Sequence, residues 1–202
     1  MTIFISRCAL LVVTVAALAL NLSGCKQQQR QAQVFNGINV TGISSAKDIH
    51  LPDIDGQERS IGNFKGKAVM VFFGFTQCPD VCPTALARAV EVKRLLGADG
   101  NRLQVLFVTV DPERDTPVVL KQYLAAFDPT FIALRGDSKR LATTAKDFKI
   151  FYQKVPTGGS YTMDHSSISY LFDPQGHLRL ALSHNLSAPK YADDVRKLLH
   201  PI

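Results

Sequence analysis

Residues 69–75, Val-Met-Val-Phe-Phe-Gly-Phe, contain no polar side chain, and this stretch limits the possible folds more than any other. The run is too short for a typical helix and shows no polar–apolar alternation. With Gly66 before it and a cysteine–proline stretch after it, it reads as a strand buried on both faces, as in a parallel sheet covered by helices. The later segments keep to that plan. Residues 83–96 place apolar side chains at Leu86, Val90, Leu95 and Leu96, with Gly97 beyond the end, so a helix and its stop are expected. Residues 103–110 read as a second buried strand, followed by a helix with Thr116 as N-cap and Pro117 in its first turn. A short strand over 131–134 comes next, then a helix capped by Ser138 and running to Phe148. Residues 168–172 and 178–182 form a hairpin around Pro174-Gln175-Gly176, and Ser187 or Pro189 opens the last helix. Ahead of these elements, Asp55-Gly56 lies between Ile49-His50-Leu51 and Arg59-Ser60-Ile61, the turn chemistry of a hairpin.

Strand and helix in alternation, closed by a hairpin and a helix, is the element order of an α/β thioredoxin-like sandwich, here with an added N-terminal β-hairpin. At 202 residues, with 46% hydrophobic and 20% charged, the chain suits one domain and has no internal repeats. Its first residues differ from the rest. Arg7 precedes an apolar run over residues 8–20, broken only by Thr14, which is the layout of a signal peptide. A spanning helix needs roughly 20 apolar residues, more than this run supplies. Leu22-Ser23-Gly24-Cys25 then resembles a bacterial lipobox, which makes residues 1–24 a leader and Cys25 the lipidated first residue of the mature chain. An uncleaved anchor helix through Leu22, or a secretory signal with an incidental cysteine, are the alternatives, and each also places the domain outside the cytoplasm. Residues 25–45, polar and including Gln27-Gln28-Gln29, read as a membrane tether, and residues 46–202 as the folded domain. The formal charge of +6 is spread over single or paired basic residues, with no basic stripe suited to nucleic acid.

With Cys25 lipidated, the mature chain keeps two free thiols, Cys78 and Cys82. They lie in Cys78-Pro79-Asp80-Val81-Cys82-Pro83, between the buried strand and the first long helix. Pro83 suits the first helical position, which puts Cys82 near the N-cap, where unpaired N–H groups favour thiolate over thiol. Two sulfurs at this spacing can converge on a soft metal ion, exchange disulfides, or form an inert bridge. So short a loop closes little chain entropy, which weighs against the inert bridge. Two intervening residues, not three, are usual in a thioredoxin enzyme. A third ligand separates these readings further. Of the five histidines, His50, His165, His177, His184 and His200, His165 ends the loop 158–164 just before a strand, where a thioredoxin-type redox enzyme has a cis-proline. The nearest upstream proline here is Pro156.

Three segments, Phe72-Phe73-Gly74-Phe75-Thr76-Gln77-Cys78-Pro79-Asp80-Val81-Cys82-Pro83, Asp111-Pro112-Glu113-Arg114-Asp115-Thr116-Pro117 and Asp164-His165-Ser166, closely resemble the Sco/SenC family, and the likeness runs from about Asn39 to the C-terminus. The resemblance implies a thioredoxin-like fold and one copper per chain, held by Cys78, Cys82 and His165. Two thiolates and an imidazole satisfy Cu(I) and still tolerate Cu(II). It further implies delivery of copper to the binuclear centre in subunit II of cytochrome c oxidase. Other periplasmic copper chaperones or thiol reductants are the further implied partners. The alternatives are a thiol–disulfide oxidoreductase acting through Cys78 and Cys82 on that subunit or on another chaperone, and a redox or copper sensor. The oxidase role implies the inner membrane, although Lys26 after the acylated cysteine would permit export to the outer one. Asp80 and Asp164 read as loop-capping residues before orienters of ligands, and Met163 as a packing residue before a weak sulfur ligand. Arg114 marks residues 111–116 as an internally paired loop, not a cation site. The Gly158-Gly159 segment is expected to be a mobile loop that closes when His165 completes the copper site.

Overall fold

The computed structural model describes residues 33–42 and 48–201. The leader, Cys25 and most of the expected tether lie outside them. Strand β1 (Ile38–Asn39) comes first, followed by the hairpin β2 (Leu51–Pro52) and β3 (Glu58–Arg59). The Asp53 carboxylate folds the hairpin turn by accepting the Asp55 and Gln57 N–H groups, both at 2.9 Å, and pairing with Arg59 at 2.7 Å. Gly56 takes the positive φ, 80°, that the turn requires.

Strand β4 (Ala68–Gly74) is buried at every residue. It leads to helix α1 (Val81–Leu96), whose buried positions Cys82, Ala85, Leu86, Ala89, Val92 and Leu96 recur at helical spacing. Strand β5 (Leu103–Thr109) is again buried throughout. Helix α2 (Pro117–Ala125) is capped by Thr116, whose hydroxyl accepts from Val119 N–H at 3.3 Å. Strand β6 (Ile132–Leu134) and helix α3 (Ser138–Asp147) follow. Asp137, not Ser138, caps α3. Its carboxylate accepts the Arg140 N–H at 2.8 Å, and Ser138 becomes the first helical residue.

Next come β7 (Tyr152–Thr157) and β8 (Ser160–His165), then β9 (Ser169–Phe172), β10 (Leu178–Leu182) and helix α4 (Ala188–Leu199), with Pro189 in its first turn. The central sheet runs β1-β10-β9-β4-β5-β6. Strands β4, β5 and β6 are parallel, while β9, β10 and β1 are antiparallel neighbours. Its core is rich in Phe, Leu and Val, and α1 and α4 pack together, with the Arg88 guanidinium over the Tyr191 ring. This is the expected thioredoxin-like α/β architecture with its N-terminal hairpin. No helix among the described residues is long and apolar enough to cross a membrane.

Two segments differ from the sequence-based expectation. Residues 36–39, read as tether, are docked on the domain. The N–H groups of Asn36 and Gly37 both donate to the fully buried Asp194 carboxylate at 2.8 Å, and β1 extends the sheet beside β10. A two-residue strand has no periodicity to detect, and its anchor lies far along the chain. The expected loop before His165 is a hairpin paired from Tyr152↔His165 to Thr157↔Ser160, turning at Gly158 and Gly159 with φ 44° and 106°. Most of its side chains are exposed, so the period-2 alternation that marks a half-buried strand is missing.

Candidate metal centre

The buried strand β4 ends at Gly74, and there the absence of a side chain is required. A Cβ would lie 2.8 Å from the Cys82 sulfur and 2.9 Å from ring carbons of both Phe107 and Phe72. The Cys82 sulfur therefore sits directly on the floor of the sheet. Past the strand, Thr76 is held by Asp115, which accepts its hydroxyl at 2.6 Å, its N–H at 3.2 Å and the Thr109 hydroxyl at 2.5 Å. Asp115 is fully buried, and that burial pushes its carboxyl up from the usual range. The three bonds fix where the chain leaves the sheet and hence where the cysteine loop begins.

Helix α1 starts at Val81, two residues earlier than expected, so Pro83 is its third residue. The first four N–H groups of a helix have no partner within it, so a proline is tolerated there as well. Asp80 occupies the N-cap, but its carboxylate makes no capping bond. The cap is a sulfur. Cys78 Sγ accepts the Cys82 N–H at 3.4 Å, so Cys78 lies at the electropositive helix end together with Cys82, the second helical residue.

The two thiols are pushed in opposite directions. The hydrogen bond from the Cys82 thiol holds Cys78 down to about 3 against the effect of burial, with His165 and the N–H groups of Asp80 and Cys82 helping. Cys82 is raised well above the ordinary thiol range by that same bond and by its burial. At neutral pH the pair is one half-buried thiolate beside one buried thiol.

His165 arrives from the end of β8. Its Nδ1 lies 3.0 Å from the Ser166 carbonyl, which can only accept, so Nδ1 donates there and Nε2 is the nitrogen that faces the two sulfurs. That Nε2 lies 3.5 Å from Cys82 Sγ. Phe75 and Phe72 hold the ring edge-on, with centroids at 5.7 and 6.2 Å. The two sulfurs and the imidazole nitrogen all lie within 4.8 Å of one another. Two soft donors and one borderline donor, with an aromatic wall behind the imidazole, suit a thiophilic ion such as copper.

The remaining candidates fall elsewhere. Met163 is buried at 6% exposure in the core, and Asp164 is exposed on β8 opposite Gln153. His50, His177 and His200 pair with Asp48, Asp173 and Asp99, and His184 with Arg88. Residues 111–116 contain the expected Asp111–Arg114 ion pair, but they also reach outward to Thr76, Gln77 and Tyr161. The sequence reading missed Gly74, although a glycine inside a strand does signal close approach of another group. It also missed Tyr161, which carries no such signal.

Comparison with known proteins agrees with this geometry. A sequence model of the SCO1/SenC family matches residues 44–200. The SCO2-like protein of Rickettsia felis is 37% identical over 169 residues, covering 82% of each chain. Among solved structures, copper-bound ScoI of Bradyrhizobium japonicum superposes with a TM-score of 0.68 at 38% identity, covering 75% of this chain and 97% of that one. Copper-bound yeast Sco1 gives a TM-score of 0.70 at 34% identity, covering 79% and 90%.

Proposed function

Because this chain belongs to the SCO1/SenC family, we propose that it is a copper metallochaperone that binds one copper ion through Cys78, Cys82 and His165. The observation that carries this reading is the convergence of two sulfurs and one imidazole nitrogen within 4.8 Å, on a fold shared with copper-bound relatives. Copper is cargo here. It passes from these ligands to the binuclear copper centre of cytochrome c oxidase subunit II, the recipient that the family resemblance implies. The chain works on the outer face of the inner membrane, attached through acyl chains on Cys25, with the residues between Cys25 and the docked Val34 and Phe35 as the tether. Each buried acyl methylene contributes about 0.8 kcal/mol to that anchoring.

The inequality of the two thiols favours a second reading. An accessible thiolate beside a buried thiol is the arrangement of an attacking and a resolving cysteine, which suits reduction of a partner's disulfide. Each turnover then oxidises the pair and requires an external thiol reductant. His165→Ala separates the two functions. Copper delivery requires that the reduced protein bind one copper per chain and that Cys78→Ser, Cys82→Ser and His165→Ala each weaken retention against a chelator by at least about tenfold. If His165→Ala leaves copper retention intact, or the folded reduced protein takes up no copper, the disulfide reading replaces it.

A further inference from the structure

His165 is carried by a hairpin with little apolar hold on the domain. Among residues 152–165 only Met163 is buried. Between the hairpin and residues 110–113 lies a cleft of about 330 Å³ lined by Val110, Pro112, Leu141, Tyr152 and Met163, among others. The bonds that cross to the domain here are polar, and they centre on Tyr161. Its hydroxyl donates to Asp111 Oδ1 at 2.8 Å, and its carbonyl accepts from Arg114 Nη1 at 2.7 Å. The guanidinium carbon of Arg114 lies 3.7 Å from the centroid of the same ring.

Arg114 also faces the cysteines. Its Nε donates to Asp111 Oδ2 at 2.5 Å, and Nη1 reaches Gln77 Oε1, on the residue before Cys78, at 3.0 Å. One guanidinium thus touches both the hairpin that carries His165 and the loop that carries Cys78. Its Nη2 is buried with no oxygen acceptor, which leaves the Tyr161 π face to take up the cation. Asp111 is 1% exposed, with both carboxylate oxygens bonded, one to Tyr161 and one to Arg114. Buried Asp111 thus ties Tyr161 to Arg114 with both of its oxygens used, and losing one of these partners loosens the other.

We propose that Asp111, Arg114 and Tyr161 are positioning residues, a clasp that holds the His165 hairpin over the cysteine loop and thereby sets how fast copper leaves the site. The release part rests on the copper reading above, whereas the hold on His165 is measurable without metal.

The test uses the full-length reduced protein beside Tyr161→Phe and Arg114→Lys. The first substitution keeps the ring and the carbonyl and removes one oxygen. The second keeps a cation beside Asp111 and removes the planar fork. In both, the NMR shifts of the His165 ring protons, displaced by the edge-on Phe72 and Phe75, are expected to move toward those of exposed His50. Amide exchange of residues 152–165 rises about tenfold or more, the size expected for a lost bond to a charged group, while β4 and β5 keep their protection. Cu(I) transfer to a chelator accelerates by a similar factor. Unchanged His165 shifts and hairpin exchange in both variants would overturn the clasp. A loosened hairpin with copper leaving at the wild-type rate would overturn its link to release. A wild-type chain that takes up no copper would sink the copper reading and the release part together, and the His165 shift would then decide the clasp by itself.

Discussion

Cys82 stands on a helix packed into the core and Cys78 on the short loop that leads into it from the buried strand β4, while His165 ends a hairpin whose side chains mostly face solvent. The fully buried Cys82 sulfur lies so close over Gly74 that a Cβ there would meet it at 2.8 Å. The position of the imidazole depends instead on its bond to Ser166, two aromatic edges and the polar bridge through Tyr161. Packed interiors tolerate displacements of a methyl group poorly, whereas exposed hairpins open at low free-energy cost. The contrast separates two tasks. The rigid region sets ligand geometry for two sulfurs, and the hairpin supplies a third ligand that can be held or released.

The largest expected effect strikes the rigid side. Gly74→Ala drives a methyl group into the Cys82 sulfur and two phenyl rings, costing about 1–3 kcal/mol of stability. Copper affinity falls with it, by about tenfold or more if the sulfur moves, as chelator competition and thermal melting will show. Wild-type affinity in Gly74→Ala would mean that the floor yields and that the comparison is drawn too sharply.

A subtler effect concerns charge. Since Cys78 is depressed from the ordinary thiol value of 9.0 to about 3, its thiolate is complete at neutral pH, and the stability it contributes is full above about pH 9 and is lost progressively as pH falls from there to about 3. Cys82 is shifted the other way, and its thiol stays protonated through the neutral range. Alkylation of the reduced protein, followed by mass spectrometry, should therefore modify Cys78 at a nearly constant thiolate fraction from about pH 8 down to about pH 5 and spare Cys82. Binding copper at neutral pH should release about one proton per ion, from Cys82, and calorimetry in buffers of different ionisation enthalpy counts it. Two protons would show that Cys78 is an ordinary thiol in the folded chain.

The smallest effect is expected at the hairpin's outer edge. Lys154 pairs with Glu113 at 2.5 Å, but the two side chains are 46% and 60% exposed. Lys154→Gln should change melting and copper release by no more than the equivalent of about 1 kcal/mol. A larger change in release would shift part of the clasp from Tyr161 to this pair.

The legible part of the fold divides in the same way. The buried run 69–75, the heptapeptide strand β5, the Thr116 cap and the last hairpin could be read from the chain because burial on both faces and capping chemistry leave local marks. The cysteine pair and His165 were legible as residues through their motif. How they are held was not. Strand β7 contains Pro156 and hardly a buried side chain, and β1 depends on Asp194, more than 150 positions away in sequence. The helix start was misplaced by two residues because the group that caps it is a sulfur four positions before Cys82, and thiols give no capping signal in sequence. Arg114 looked sufficient to pair within its own loop, and nothing in the sequence indicated that it also reaches Gln77 and Tyr161.

The measurement that tests the central claim most directly is copper K-edge X-ray absorption on the reduced protein loaded with Cu(I), beside His165→Ala. The account predicts two sulfur scatterers and one imidazole nitrogen in the wild type, with the imidazole contribution lost and both sulfurs kept in the variant. A wild-type spectrum without an imidazole, or one that His165→Ala leaves unchanged, would contradict it.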